Sequence, residues 1–100
     1  MFDELQGDWV SVSSEVPNYE VGKDRVRFLQ DGYIEYLIER NGKSFRSFFE
    51  AVVEGDDYVV QPVGGYGFGG EPMKLRVTKI NEDELGIRRI GLTTVYRRKR

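Results

Sequence analysis

One hundred residues with a formal net charge of −2 make a single domain, residues 1–100, large enough to bury one core without covalent staples. The chain has no Cys and no His, which excludes a disulfide framework, a thiol nucleophile, a zinc–thiolate site and any His-based triad. Its first residues carry neither a basic nor an apolar leader segment, so the expected location is cytoplasmic, or exported if a leader has been removed, and no stretch approaches transmembrane length.

Eight strand-like runs follow in chain order. The first spans residues 8–14 and holds the only Trp, Trp9, two positions after Gly7. A loop with Pro17-Asn18 as its turn signal leads to residues 25–29, where Val26 and Phe28 face one way and Arg25 and Arg27 the other. Asp31-Gly32 marks a hairpin before residues 33–39, in which Ile34, Tyr36 and Ile38 alternate with Glu35, Leu37 and Glu39. Asn41-Gly42 is a stronger hairpin signal, because both residues tolerate the positive φ of a type I′ turn. Residues 44–53 place Phe45, Phe49, Ala51 and Val53 on one face and Arg46, Phe48, Glu50 and Val52 on the other.

Gly55-Asp56-Asp57 turns the chain into residues 58–63, and a seven-residue stretch with five glycines, 64–70, carries Tyr66 and Phe68. Residues 73–79 point Met73, Leu75 and Val77 inward. A polar turn at 81–83 precedes residues 85–90, and Gly91 separates these from residues 92–97. A helix over 82–89 is conceivable, but the turn signals fit a strand pair better. No segment holds a helical period. Short strands with hairpin-length links specify an all-β domain, a small antiparallel up-and-down barrel of about eight strands, with a two-sheet sandwich as the alternative. Closure would remove the exposed edges of such a meander.

Charge is unevenly spread. The first twenty residues carry Asp3, Glu4, Asp8, Glu15 and Glu20 and no base, whereas the last fifteen carry Arg88, Arg89, Arg97, Arg98, Lys99 and Arg100 and no acid. A closed barrel puts the first and last strands together, so the two ends are expected to neutralise each other in part rather than to leave a basic tail for an anionic partner.

The order and spacing of several short motifs resemble the lipocalin-like, or calycin-like, small barrels of bacteria. They are residues 5–9, 26–32, 49–60, 83–87 and 93–98, short stretches spread over nearly the whole length of the chain. The resemblance implies that Trp9 plugs one barrel end and that a late-strand Arg packs across its face. Tyr96 and Arg98 share a strand face, so Arg98 is the expected closing residue and Tyr96 its companion. The strands are shorter than in full lipocalins and no C-terminal helix follows, which points away from a deep cavity. An eight-stranded barrel is just wide enough to be filled by side chains or to hold one small ligand, and the size of the inward residues favours filling.

The leading functional expectation is a non-enzymatic binding module for a small apolar or aromatic ligand, with Tyr66, Phe68, Tyr36, Phe49 and Met73 as ligand-binding residues. An alternative is a protein–protein or homo-oligomeric surface on the barrel exterior, using Phe48, Val52 and Val59. A single-stranded nucleic-acid surface built from Arg25, Arg27, Arg88, Arg89 and the C-terminal bases beside Tyr66 and Phe68 is the weakest reading, since acids are interspersed and the net charge is negative. No catalytic residue, cofactor or metal site is expected. Glu35 with Glu39 reads as solvent-facing and Asp56 with Asp57 as a turn, and general acid–base work needs a carboxyl in a pocket.

Overall fold

The structure, a computed structural model, describes residues 5–30, 32–65 and 72–99. Among these, eight strands run β1 (Gly7–Ser14), β2 (Asp24–Phe28), β3 (Tyr33–Arg40), β4 (Lys43–Glu54), β5 (Asp57–Gly65), β6 (Met73–Asn81), β7 (Glu84–Arg89) and β8 (Leu92–Arg98). They close into a barrel in sequence order, every neighbour antiparallel and β8 pairing back on β1. Residues 82–89 form no helix; they supply the turn into β7 and β7 itself.

Period-2 alternation builds the core as the sequence indicates. Along β2, Val26 and Phe28 are buried while Arg25 and Arg27 are exposed. Trp9, Val26, Phe28, Val60 and Leu85 are almost fully sequestered. Val53 departs from its expected inward position and is 51% exposed. It lies at the far end of the long strand β4, one residue before the Glu54-to-Asp57 connection.

Two tight turns show the same backbone chemistry with different residues. Arg40 pairs with Lys43 across Asn41 (φ 53°) and Gly42 (φ 75°), the double-positive pattern of a type I′ hairpin. Arg89 pairs with Leu92 across Ile90 (φ 52°) and Gly91 (φ 76°). Asn suits the left-handed region, whereas a β-branched residue there is strained. Asp31 lies outside the described residues; its neighbour Gly32 has φ 80°, and its carbonyl accepts the amide of Ala51.

Closure concentrates at one end. Trp9 is completely buried, its indole N–H donates to the Leu5 carbonyl at 2.9 Å, and the Arg98 guanidinium carbon sits 4.2 Å from the ring centroid. Arg98 also donates to the Gln6 carbonyl and, at 3.3 Å, to the Glu82 carbonyl. Gly7 has φ 115°, and a Cβ there would stand 3.0 Å from the Arg98 guanidinium. The Gly of the Gly-x-Trp motif is therefore the space into which the arginine closes. Tyr96 is not part of this arrangement; it lines the opposite half of the barrel.

The first and last strands do lie side by side, but Asp8 and Arg97 find their ion-pair partners on other strands. Asp8 ion-pairs with Arg27 of β2 at 2.5 Å, which holds its carboxyl below the ordinary value, and Lys99 adds a weaker pull. Arg97 pairs with Glu84 of the adjacent strand at 3.2 Å. The terminal strands are joined by backbone bonds, with the Lys99 amide donating to the Asp8 carbonyl and the Glu15 amide to that of Thr93.

Three substitutions test this account by urea unfolding. Trp9→Ala should cost about 3–5 kcal/mol, and a loss under about 1 kcal/mol would contradict the closing role of the ring. Gly42→Val meets no atom within 4 Å, so its expected cost of about 1–3 kcal/mol is conformational. Ile90 is 90% exposed, so Ile90→Asn should raise stability by about 1 kcal/mol by relieving a left-handed β-branched residue without losing packing.

Candidate functional site: a cavity at the end opposite Trp9

Large side chains crowd the Trp9 end, and the barrel is hollow toward the other. A cavity of about 430 Å³ opens where β1, β3, β5 and β7 end and β2, β4, β6 and β8 begin. The expectation of a filled interior is thus corrected. Inward parity specifies which residues face the axis but not whether their volumes meet across it, and the bulkiest fully buried side chains, Trp9, Phe28 and Leu85, do not line the cavity.

Val26, Ile34, Phe49 and Val60 form its deeper apolar wall. Ile38, Met73, Leu75 and Ile87 continue it upward, and Val16, Arg89, Ile90 and Leu92 reach the rim. Of the residues expected to bind a ligand, Tyr36, Phe49 and Met73 all line the cavity. Tyr66 and Phe68 lie outside the described residues, but the strand ends that flank them, Gly65 and Met73, stand at the open end.

One polar cluster interrupts the apolar wall. Asp24 opens β2 with the same inward parity as Val26 and Phe28 and is 2% exposed. The hydroxyls of Tyr19 and Tyr36 both donate to its Oδ2, at 2.6 and 2.5 Å. Tyr96, also buried, lines the same cavity. Burial pushes all three phenols well above their ordinary range. The neighbouring Tyr96 and Asp24 add to the shift of Tyr19, Asp24 adds to that of Tyr36, and Tyr36 adds to that of Tyr96. Thr94, also buried, lines the same wall and shares a 2.8 Å hydrogen bond with Ser14.

Tyr19 reaches the cavity from the long β1–β2 connection, which is fastened rather than loose. The Gly22 amide is shared between the carbonyl and hydroxyl of Ser11, both at 3.0 Å. The Lys23 carbonyl accepts the Glu39 amide, and the Glu15 carboxylate accepts the Thr93 amide at 2.7 Å. Asn18 (φ 60°) and Gly22 (φ 80°) provide the left-handed corners that fold this connection back.

Asp24, Tyr19 and the cavity position of Tyr96 escaped the sequence reading. A signal for Asp24 was present: extending the 26, 28 parity back by two places puts a carboxylate on the inner face. Glu35 was also misplaced. It faces outward by parity yet is 6% exposed, because the stems of Arg27 and Arg46 cover it, with ion-pair distances of 3.6 and 3.7 Å. Phe48, opposite Glu35, is half-buried, as is Val59, whereas Val52 is 60% exposed. Among the described residues no group of three or more acidic side chains is placed to hold a metal ion.

The phenol cluster sets a pH dependence. A tyrosine whose folded pKa lies above its unfolded value stabilises the fold below the unfolded value, about 10, and loses that contribution as pH rises beyond it. The urea midpoint should therefore fall above about pH 10, and Tyr36→Phe should make that alkaline fall shallower. An equally steep fall in the variant would contradict the assignment.

Neither protein-family models nor curated proteins give a match to this chain. Solved structures do. A lipocalin-like protein from Bacteroides uniformis superposes with a TM-score of 0.74 at 13% identity, over 96% of this chain and 99% of that one. An uncharacterised protein from Bacteroides eggerthii gives 0.68 at 11% identity, over 94% and 98%. At these identities the likeness is one of fold, and the fold of this chain is that of a lipocalin-like, eight-stranded antiparallel barrel.

Proposed function

We propose that this barrel is a binding module that takes a small, largely apolar ligand into the cavity opposite Trp9. The observation that carries the reading is the cavity itself: about 430 Å³, walled mainly by aliphatic and aromatic side chains with one compact polar group. Small-molecule sites commonly span about 300–1,000 Å³ and combine an apolar wall with a few placed polar groups. Burying apolar ligand surface there contributes about 25 cal/mol per Å² removed from water, and the polar group would fix orientation. The fold of the solved relatives supports a ligand-holding interior of this size, since eight strands enclose room for one small molecule.

The test uses a neutral apolar dye, N-phenyl-1-naphthylamine, whose emission rises on leaving water. Leu75 is half-buried on the cavity wall, so Leu75→Trp fills space without touching the Trp9 end. The wild-type protein should bind the dye, and the variant should bind it at least about tenfold more weakly while melting within a few degrees of wild type. No dye binding by the wild type, or undiminished binding by a folded Leu75→Trp, would refute the proposal.

A further inference from the structure

The polar group in the cavity wall has a specific chemical character, and we infer from it that the ligand carries a protonated amine, an organic ammonium on a small apolar body. This rests on the proposal that the cavity is a ligand site and adds the class of ligand.

Among the described residues, Asp24 is the only acidic one that lines the cavity. Placing a carboxylate at 2% exposure inside an otherwise apolar barrel costs several kcal/mol of lost hydration, and a well-packed apolar residue in the same place is often no less stable. A cost of that size calls for a use beyond filling space. Two tyrosines converge on it: Tyr19 and Tyr36 spend their hydroxyl protons on one carboxylate oxygen, and Tyr96 lines the same cavity. With the hydroxyls of Tyr19 and Tyr36 turned to Asp24, what these two residues offer the cavity is ring surface. A carboxylate bounded by electron-rich rings is the arrangement that recognises an ammonium group, through charge and through the ring quadrupoles together.

The same arrangement disfavours the opposite charge. A carboxylate ligand entering deeply would meet Asp24 and would find the nearest phenol protons already donated. Arg89, the cationic residue of the lining among the described residues, ends β7 at the rim and is exposed. Water screens it there, while the field of Asp24 acts across a drier interior. The inner half of the cavity therefore selects for positive charge.

Three competitors of nearly equal size separate the possibilities: 2-phenylethylamine, 2-phenylethanol and 3-phenylpropanoate, each titrated against bound N-phenyl-1-naphthylamine at neutral pH. The amine should displace the dye about tenfold more tightly than the alcohol, and the carboxylate should be the weakest. Asp24→Asn should bring the amine down to the level of the alcohol. If that variant does not fold, the wild-type order of the three competitors decides alone. An amine no tighter than the alcohol, or a carboxylate tighter than both, in a protein that binds the dye overturns this inference and leaves the ligand site standing. Failure of the wild type to bind the dye overturns both.

Discussion

Everything in this molecule depends on β8 finding β1. A meander of eight strands has two free edges until its ends pair, and each edge exposes a row of unsatisfied backbone donors and acceptors. The pairing brings Arg98 opposite Trp9 in register, and the guanidinium then lies over the indole ring. Gly7 makes this possible twice over: its φ of 115° is open to glycine, and its missing side chain leaves room for the guanidinium. The arginine ties its own strand to two other segments, the N-terminal one through the Gln6 carbonyl and the face of Trp9 and the β6–β7 turn through the Glu82 carbonyl. Burial supplies the larger part of the energy at this end; the cation–π contact and hydrogen bonds define its geometry.

Concentrating the bulky residues at one end leaves the other free. The barrel does not need its open half filled in order to hold together, because the backbone ladder continues around the full circumference. That is what permits a hydrophilic group as costly as Asp24 to persist inside. The β1–β2 connection does more than link strands. Its bonds to Ser11, Glu39 and Thr93 fix the approach of Tyr19, so that a residue from a loop behaves as part of the wall.

Much of this was legible in the chain. The strands could be marked to within a residue or two because turn dipeptides punctuate clean alternation, and Asn41-Gly42 adopts the two positive φ values its composition calls for. The closing pair was legible only by resemblance, since no local pattern connects Trp9 with Arg98 across the whole length of the chain. The hollow interior was not legible, because periodicity carries direction and no volume. Asp24 was passed over for a different reason: a polar residue at the end of an apolar stripe looks like the end of the strand, when here it was the inner wall continuing. Glu35 shows the converse. Its parity is outward as read, but two long arginine side chains on neighbouring strands put it out of reach of water.

The separation of the two ends has a spectroscopic consequence. The single tryptophan is wholly buried at the closed end and takes no part in lining the cavity, whereas three of the five tyrosines among the described residues line it. Emission from the indole therefore reports whether the sheet is closed, and the near-ultraviolet signal of the phenols reports what occupies the open half. Opening of the barrel and occupation of its interior can be followed at different wavelengths in one unlabelled sample, with no engineered chromophore at either end.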